Sequence, residues 1–245
     1  MATAVPAERD AVAEAFAGVP ESVRLPGVTL ERLSLPTAAT EATEATAPAR
    51  TTLDLLAAGV GPALAAASVA GALTAGALGG TPYDLVVSTG IGGGFQPEAR
   101  LGTLVVADEI TAADLGAETA DGFLPVTELG FGTVSHRPPE TLVRDLVAAT
   151  GGRAGTVLTV STVTGSAERA AELRARHPRA LAEAMEGFGV AEAAAAHGVP
   201  VLEMRAVSNP VGPRDRAAWR IGDALATLTE AFGKLAPVLE SWKPV

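Results

Sequence analysis

The chain has 245 residues and a net charge of −10 at neutral pH, enough length for one sizeable α/β domain. Its sixteen arginines and two lysines (Lys234, Lys243) form no basic block, which argues against nucleic-acid binding through phosphate contacts. Cysteine is absent, which removes disulfides, thiolate nucleophiles and thiolate metal sites, and with only 4% aromatic residues the core must be built from Ala, Val and Leu.

Met1 to Val5 is a short apolar start without the basic-then-apolar pattern of a secretory leader. Pro6-Ala7-Glu8-Arg9-Asp10-Ala11-Val12 opens a helix, since Pro and acids suit a first helical turn. Pro36 to Arg50 is low in complexity and reads as a mobile loop. Thr51 to Ala58 reads as a strand, and Gly59-Val60-Gly61-Pro62 turns into an Ala-rich helix from Ala63 to Leu78. That helix is too short and too Gly-interrupted for a membrane span. Asp84 to Thr89 is a strand running into a glycine-rich turn, Gly90-Ile91-Gly92-Gly93-Gly94, and Thr103 to Ala107 and Thr156 to Ser161 are further buried runs. The pattern then predicts a helix from Ala182 to His197, a Gly198-Val199-Pro200 turn, a strand from Val201 to Asn209 and a last helix from Arg216 to Leu239. Solid apolar strands alternating with helices predict an α/β fold with a mostly parallel central sheet flanked by helices, as a single domain over residues 1–245. A soluble cytoplasmic protein with no membrane contact is expected.

Three features carry chemistry. The glycines from Gly90 to Gly94 let backbone N–H groups approach an anion or an electron-rich ring, although a tight packing turn would look the same. No helix is expected after them, which argues against a dinucleotide fingerprint. Glu186, between Met185 and Gly187, stands at the head of an apolar helix, either as an acid favoured by the helix dipole or as a carboxylate accepting from paired hydroxyls. Asn209 ends the following strand before Pro210, as a turn residue or as an amide facing the same crevice as Glu186. His136, His177 and His197 show no metal-ligand spacing, and no metal site is expected.

The segment from Ala184-Met185-Glu186-Gly187 to Arg205-Ala206-Val207-Ser208-Asn209 resembles the nucleoside phosphorylase and nucleosidase superfamily at that family's own spacing. Leu101-Gly102-Thr103 followed by Val105-Val106-Ala107-Asp108-Glu109 resembles it too, with Thr103 where the family has Asp. The resemblance implies that Met185 and Glu186 grip the ribose hydroxyls and that Gly92 and Gly93 line the sugar side. Ser208 and Asn209 would handle the purine, Val163 and Thr164 would pack on the base, and Glu8 would activate water. A general base at Glu8 implies hydrolysis, and the Arg-bearing loop that a phosphorylase needs for phosphate has no counterpart. An amide at 209 offers N–H donors to N7 and O6, which suits a 6-oxopurine better than an adenine.

Together with Thr89-Gly90-Ile91-Gly92-Gly93-Gly94-Phe95, the run Glu203-Met204-Arg205-Ala206-Val207-Ser208-Asn209-Pro210-Val211-Gly212-Pro213-Arg214-Asp215-Arg216 is similar to the futalosine hydrolases of menaquinone biosynthesis. That resemblance implies release of hypoxanthine from futalosine, leaving dehypoxanthine futalosine, with no bound cofactor, a small nucleoside as ligand and a homo-oligomeric assembly. Futalosine carries a carboxylate beyond the ribose, for which Arg214 or Arg137 is the candidate contact. Two rivals stay open: an adenine-type nucleosidase for methylthioadenosine, S-adenosylhomocysteine or aminodeoxyfutalosine, and a catalytically silent nucleoside-binding protein on the same fold.

Overall fold

A computed structural model describes residues 1–36 and 50–242. The central part of the loop expected at 36–50 lies outside these residues, while Pro36 and Arg50 at its edges pair as the ends of adjoining strands.

In chain order, β1 (Ala2–Thr3) leads into α1 (Pro6–Ala13), the antiparallel pair β2 (Glu21–Leu25) and β3 (Val28–Pro36), β4 (Arg50–Ala57) and α2 (Pro62–Leu78). The middle of the chain holds β5 (Val86–Gly94), β6 (Leu104–Ala112), the hairpin β7 (Gly116–Thr119) and β8 (Gly122–Pro125), β9 (Ser135–His136) and α3 (Glu140–Thr150). It closes with β10 (Arg153–Thr159), α4 (Ala167–Arg176), β11 (Ala180–Ala184), α5 (Gly187–Ala196), β12 (Val201–Pro210), a 3₁₀ turn at Arg216–Ala218 and α6 (Ile221–Ser241).

The α/β expectation holds, but the sheet is mixed and barrel-like rather than mostly parallel. The order β11-β10-β6-β12-β5 closes on itself through an antiparallel pairing of β11 with β5, and β1, β4, β3 and β2 extend the sheet from β5. The reason lies in one connection. Only Phe95–Thr103 separates β5 from β6, too short for a helical crossover, so β6 returns in the opposite direction and pairs antiparallel with β12. The apolar runs misled because strands of this closed sheet are covered on both faces.

Two other expectations change. The glycines from Gly90 to Gly94 continue β5 as strand rather than turning out of it. The segment expected as one helix from Ala182 to His197 divides into β11 and α5, because pairing with β10 and with the end of β5 overrides the helix preference of its alanines. The last helix begins later than expected, at Ile221, after the 3₁₀ turn.

The core forms on both sides of the sheet. Val69 and Leu73 of α2 pack with Val190 and Ala191 of α5 on one side. Leu142 and Leu146 of α3 pack with Leu228 and Phe232 of α6 on the other, where Phe16 meets Phe232 edge-on at 6.3 Å. Strand β12 shows how the two sides are served. Val201 and Val207 face the α2–α5 cluster, and Leu202, Met204 and Ala206 face the α3–α6 cluster. By the two-residue period of a strand, Glu203 and Arg205 share the side of Val201 and Val207, toward the start of α5.

Candidate active site

Glu8 lies in the first turn of α1, where Pro6 stands at the helix start and Glu8 reaches back over it. Its Oε2 accepts from the backbone N–H of Ala4 (3.0 Å) and Val5 (3.3 Å), and its Oε1 from Ile91 N–H in β5 (2.9 Å). The carboxylate is buried and bound on both oxygens by main chain, so its position is set by the fold rather than by its own rotamers. The strand passes very close. A Cβ at Gly90 would stand 2.6 Å from Glu8 Oε1 and 2.9 Å from Arg205 Nη1, so only glycine fits there.

Arg205 is a residue to which the sequence pattern gave no role. It is 1% exposed, and each nitrogen of its guanidinium meets a partner. Nε donates to Glu203 Oε1 (2.9 Å), Nη2 to Ser88 Oγ (3.1 Å), and Nη1 lies 3.3 Å from Glu186 Oε2. Burial works against the Arg205 charge, but Glu203, Glu186 and Glu8 outweigh it and raise its pKa further. Burial pushes the Glu203 carboxyl up to about 6, with Arg205 pulling it down and Glu186 adding to the rise. A signal for this pair was present in the sequence. Two charges spaced i, i+2 inside the apolar run Val201 to Val207 must be buried on one face, and buried charges require partners.

Glu186 stands at the N-cap position of α5, but its carboxylate makes no capping bond to the helix. Its Oε1 accepts from Gly61 N–H (3.3 Å) in the turn before α2, and its Oε2 from Met185 N–H (3.4 Å) while facing Arg205. Glu8, Gly90 and Glu186 are thus gathered around one guanidinium, at the point where β5 and β12 run side by side.

One step further along β12 the register slips. Val207 pairs with Gly92 and Asn209 with Gly93, so Ser208 is the extra residue of a β-bulge. The Ser208 hydroxyl shares its proton between Gly92 O (3.2 Å) and Asn209 Oδ1 (2.8 Å). This fixes the Asn209 amide with its NH₂ group outward, one hydrogen directed to Pro210 O at 3.0 Å and the other without a partner among the described residues. Leu101-Gly102-Thr103 meets the same strand through main chain: Gly102 N–H donates to Val207 O and Val207 N–H to Thr103 O, each at 2.9 Å.

Thr164 is buried with its hydroxyl and its N–H both given to the carboxylate of Glu183, a β11 residue that pairs with Gly93 of β5. Burial pushes Glu183 up in pKa, and the two bonds from Thr164 pull it down. Val163 beside it is exposed. Arg137 and Arg214 stand outside this cluster. Arg137 is mostly exposed and donates to Glu109 Oε1 at 3.2 Å. Arg214 is exposed and stacks 5.6 Å above the Trp219 ring, with no carboxylate partner among the described residues. Among the described residues no group of three or more His, Asp or Glu is arranged to hold a metal ion, and no helix is long and apolar enough to cross a membrane.

The phosphorylase superfamily profile matches residues 6–241. A futalosine hydrolase from Streptomyces coelicolor is 72% identical over 244 residues, covering 100% of this chain and 97% of its own. The structure of a futalosine hydrolase mutant of Helicobacter pylori strain 26695 has a TM-score of 0.76 at 17% identity, covering 96% of each chain. A 5′-methylthioadenosine/S-adenosylhomocysteine nucleosidase from Neisseria meningitidis, in complex with methylthio-immucillin-A, reaches 0.75 at 19% identity over 98% of this chain and 97% of that one. At these identities the two structures speak for the fold.

Proposed function

The chain belongs to the phosphorylase superfamily and, within it, to the futalosine hydrolases, and from that premise we propose that it cleaves the N-glycosidic bond of futalosine with water, releasing hypoxanthine. The observation that carries the reading is the pair of buried carboxylates, Glu8 and Glu186, facing one cation, Arg205.

In this reading Glu186 accepts from the ribose 2′ and 3′ hydroxyls, with Met185 and the main chain of Gly92 and Gly93 lining the sugar. Glu8 orients a water toward C1′ and takes its proton as the C–O bond forms. The C1′–N9 bond breaks with its electron pair going to the purine, so charge develops at N7 and O6. The remaining N–H of Asn209 is the donor for that charge, and the bond from Ser208 to Oδ1 supports this orientation. Thr164, tied to Glu183, acts by holding its loop, which leaves exposed Val163 to meet the base. For the distal carboxylate of futalosine, Arg214 is favoured over Arg137, whose charge is already met by Glu109. We further place the enzyme in the cytoplasm as a homo-oligomer, in keeping with the family.

A phosphate-free incubation with futalosine, inosine and adenosine-type nucleosides tests the reading, with free base followed by chromatography. Hypoxanthine from futalosine is the expected product. Adenine release in preference, or binding without release, would overturn it.

A further inference from the structure

Two carboxylates, Glu186 and Glu203, contact the Arg205 guanidinium and a third, Glu8, lies near it, and the reaction proposed above employs only Glu8 and Glu186. Glu203 is 0% exposed and sits two residues before Arg205 on the same side of β12. Its Oε1 accepts from Arg205 Nε, and its Oε2 is buried with no hydrogen-bond partner among the described residues. The first residue of α5 crosses directly above. A Cβ at Gly187 would stand 2.1 Å from Glu203 Oε2 and 2.2 Å from Oε1, so the helix start is glycine where the carboxylate comes through. A carboxylate held there beside two others is costly, and an apolar pair in place of both Glu203 and Arg205 would pack at lower cost. The fold alone therefore does not account for it.

The guanidinium is planar, so the direction of Nε fixes the directions of both terminal nitrogens. With Nε on Glu203 and Nη2 on Ser88, Nη1 is left pointing to Glu186 and to the gap at Gly90 beside Glu8. We propose that Glu203 is the positioning residue for Arg205, aiming at Glu186 and the gap beside Glu8 the cation that pairs with Glu186 and shares its field with Glu8. The inference rests on the roles given above to Glu8 and Glu186. Glu203 touches neither sugar nor base; it acts through the arginine.

Two conservative variants separate position from charge. Glu203→Gln keeps an oxygen within reach of Nε without the charge, and Glu203→Asp keeps the charge but withdraws it by one methylene. In phosphate-free futalosine hydrolysis, Gln should stay within about threefold of wild-type kcat, and Asp should lose on the order of 10²-fold with a smaller change in KM, as a misplaced catalytic contact does. Thermal melts report whether each variant is folded. The Arg205 Nε–H resonance in NMR gives a second readout that needs no substrate: slow exchange in wild type and Gln, lost protection in Asp. An Asp variant with wild-type turnover, a Gln variant as impaired as Asp, or an Arg205 resonance unchanged in Asp would each overturn the proposal. A wild-type protein that releases no hypoxanthine would count against the futalosine reading instead, and the NMR comparison would still decide the role of Glu203.

Discussion

Ile91 donates its backbone N–H to Glu8 Oε1 at 2.9 Å, which ties the first helix to the middle of β5. Because Ala4 and Val5 hold the other oxygen, Glu8 is fixed by segments far apart in sequence. Its chemistry depends on the path of β5 as much as on the side chain.

Glu8→Gln and Glu186→Ala should each lower kcat for futalosine by about 10²–10⁴-fold, the range for a positioned acid or base. Steady-state assays in phosphate-free buffer check this. Near-normal turnover in Glu8→Gln would remove Glu8 as the base.

Gly90→Ala places a methyl group 2.6 Å from Glu8 Oε1 and 2.9 Å from Arg205 Nη1. One of the two charged groups must move, so activity should fall at least about tenfold together with a stability loss of about 1–3 kcal/mol, the usual cost of overpacking. Urea denaturation and kcat measured on the same preparation test the coupling. A variant as stable and as active as wild type would show that the site tolerates a side chain there.

The sequence announced the ends of this site better than its middle. Glu186 and Asn209 stand where helix and strand signals meet, and the family spacing makes them legible. Glu8 was legible through the family resemblance alone, since an acid in a Pro-led first turn reads equally as a solvated helix start. Arg205 and Glu203 were visible only as charges inside an apolar strand, and what pairs with them is decided by Ser88, Gly90 and Gly187, which come from two other elements. Glu183 escaped for a related reason: an Ala-rich stretch that reads as helix became a strand by pairing with β10, and only then did its carboxylate face Thr164. The closed sheet was hidden because alternation cannot distinguish a buried parallel strand from one covered on both faces in a mixed barrel.

Glu203 also gives a pH signature. Its folded value of about 6 lies above the ordinary 4.5, mainly through burial, so between these values the native state keeps a proton that the unfolded chain has released. Its contribution to stability is full below the unfolded value and declines as pH rises through the folded one, by on the order of 2 kcal/mol. Glu203→Gln cannot ionise and should lack that decline. Urea unfolding of both proteins from about pH 4 to about pH 8 reads the difference. A stability gap between them that stays constant with pH would refute it.

Arg214→Ala should raise KM for futalosine while leaving inosine unaffected, since inosine lacks the distal carboxylate. Arg137→Ala should change neither, because its charge is met by Glu109. Parallel KM measurements with both nucleosides decide it. Equal effects of Arg214→Ala on the two substrates would take Arg214 out of substrate recognition.

The bulge at Ser208 has a further consequence. Up to Val207, β12 keeps strict step with β5, and its alternating side chains serve two cores; beyond it, Asn209 is in step with Gly93 instead. The extra residue works as a phase break between scaffold and business end. Substitutions that shift the packing of Leu202 or Met204 are absorbed before the break, whereas an insertion or deletion between Val207 and Asn209 would turn the amide to the opposite face and leave both cores intact. Deleting Ser208 should therefore yield a folded protein that has lost its grip on the base.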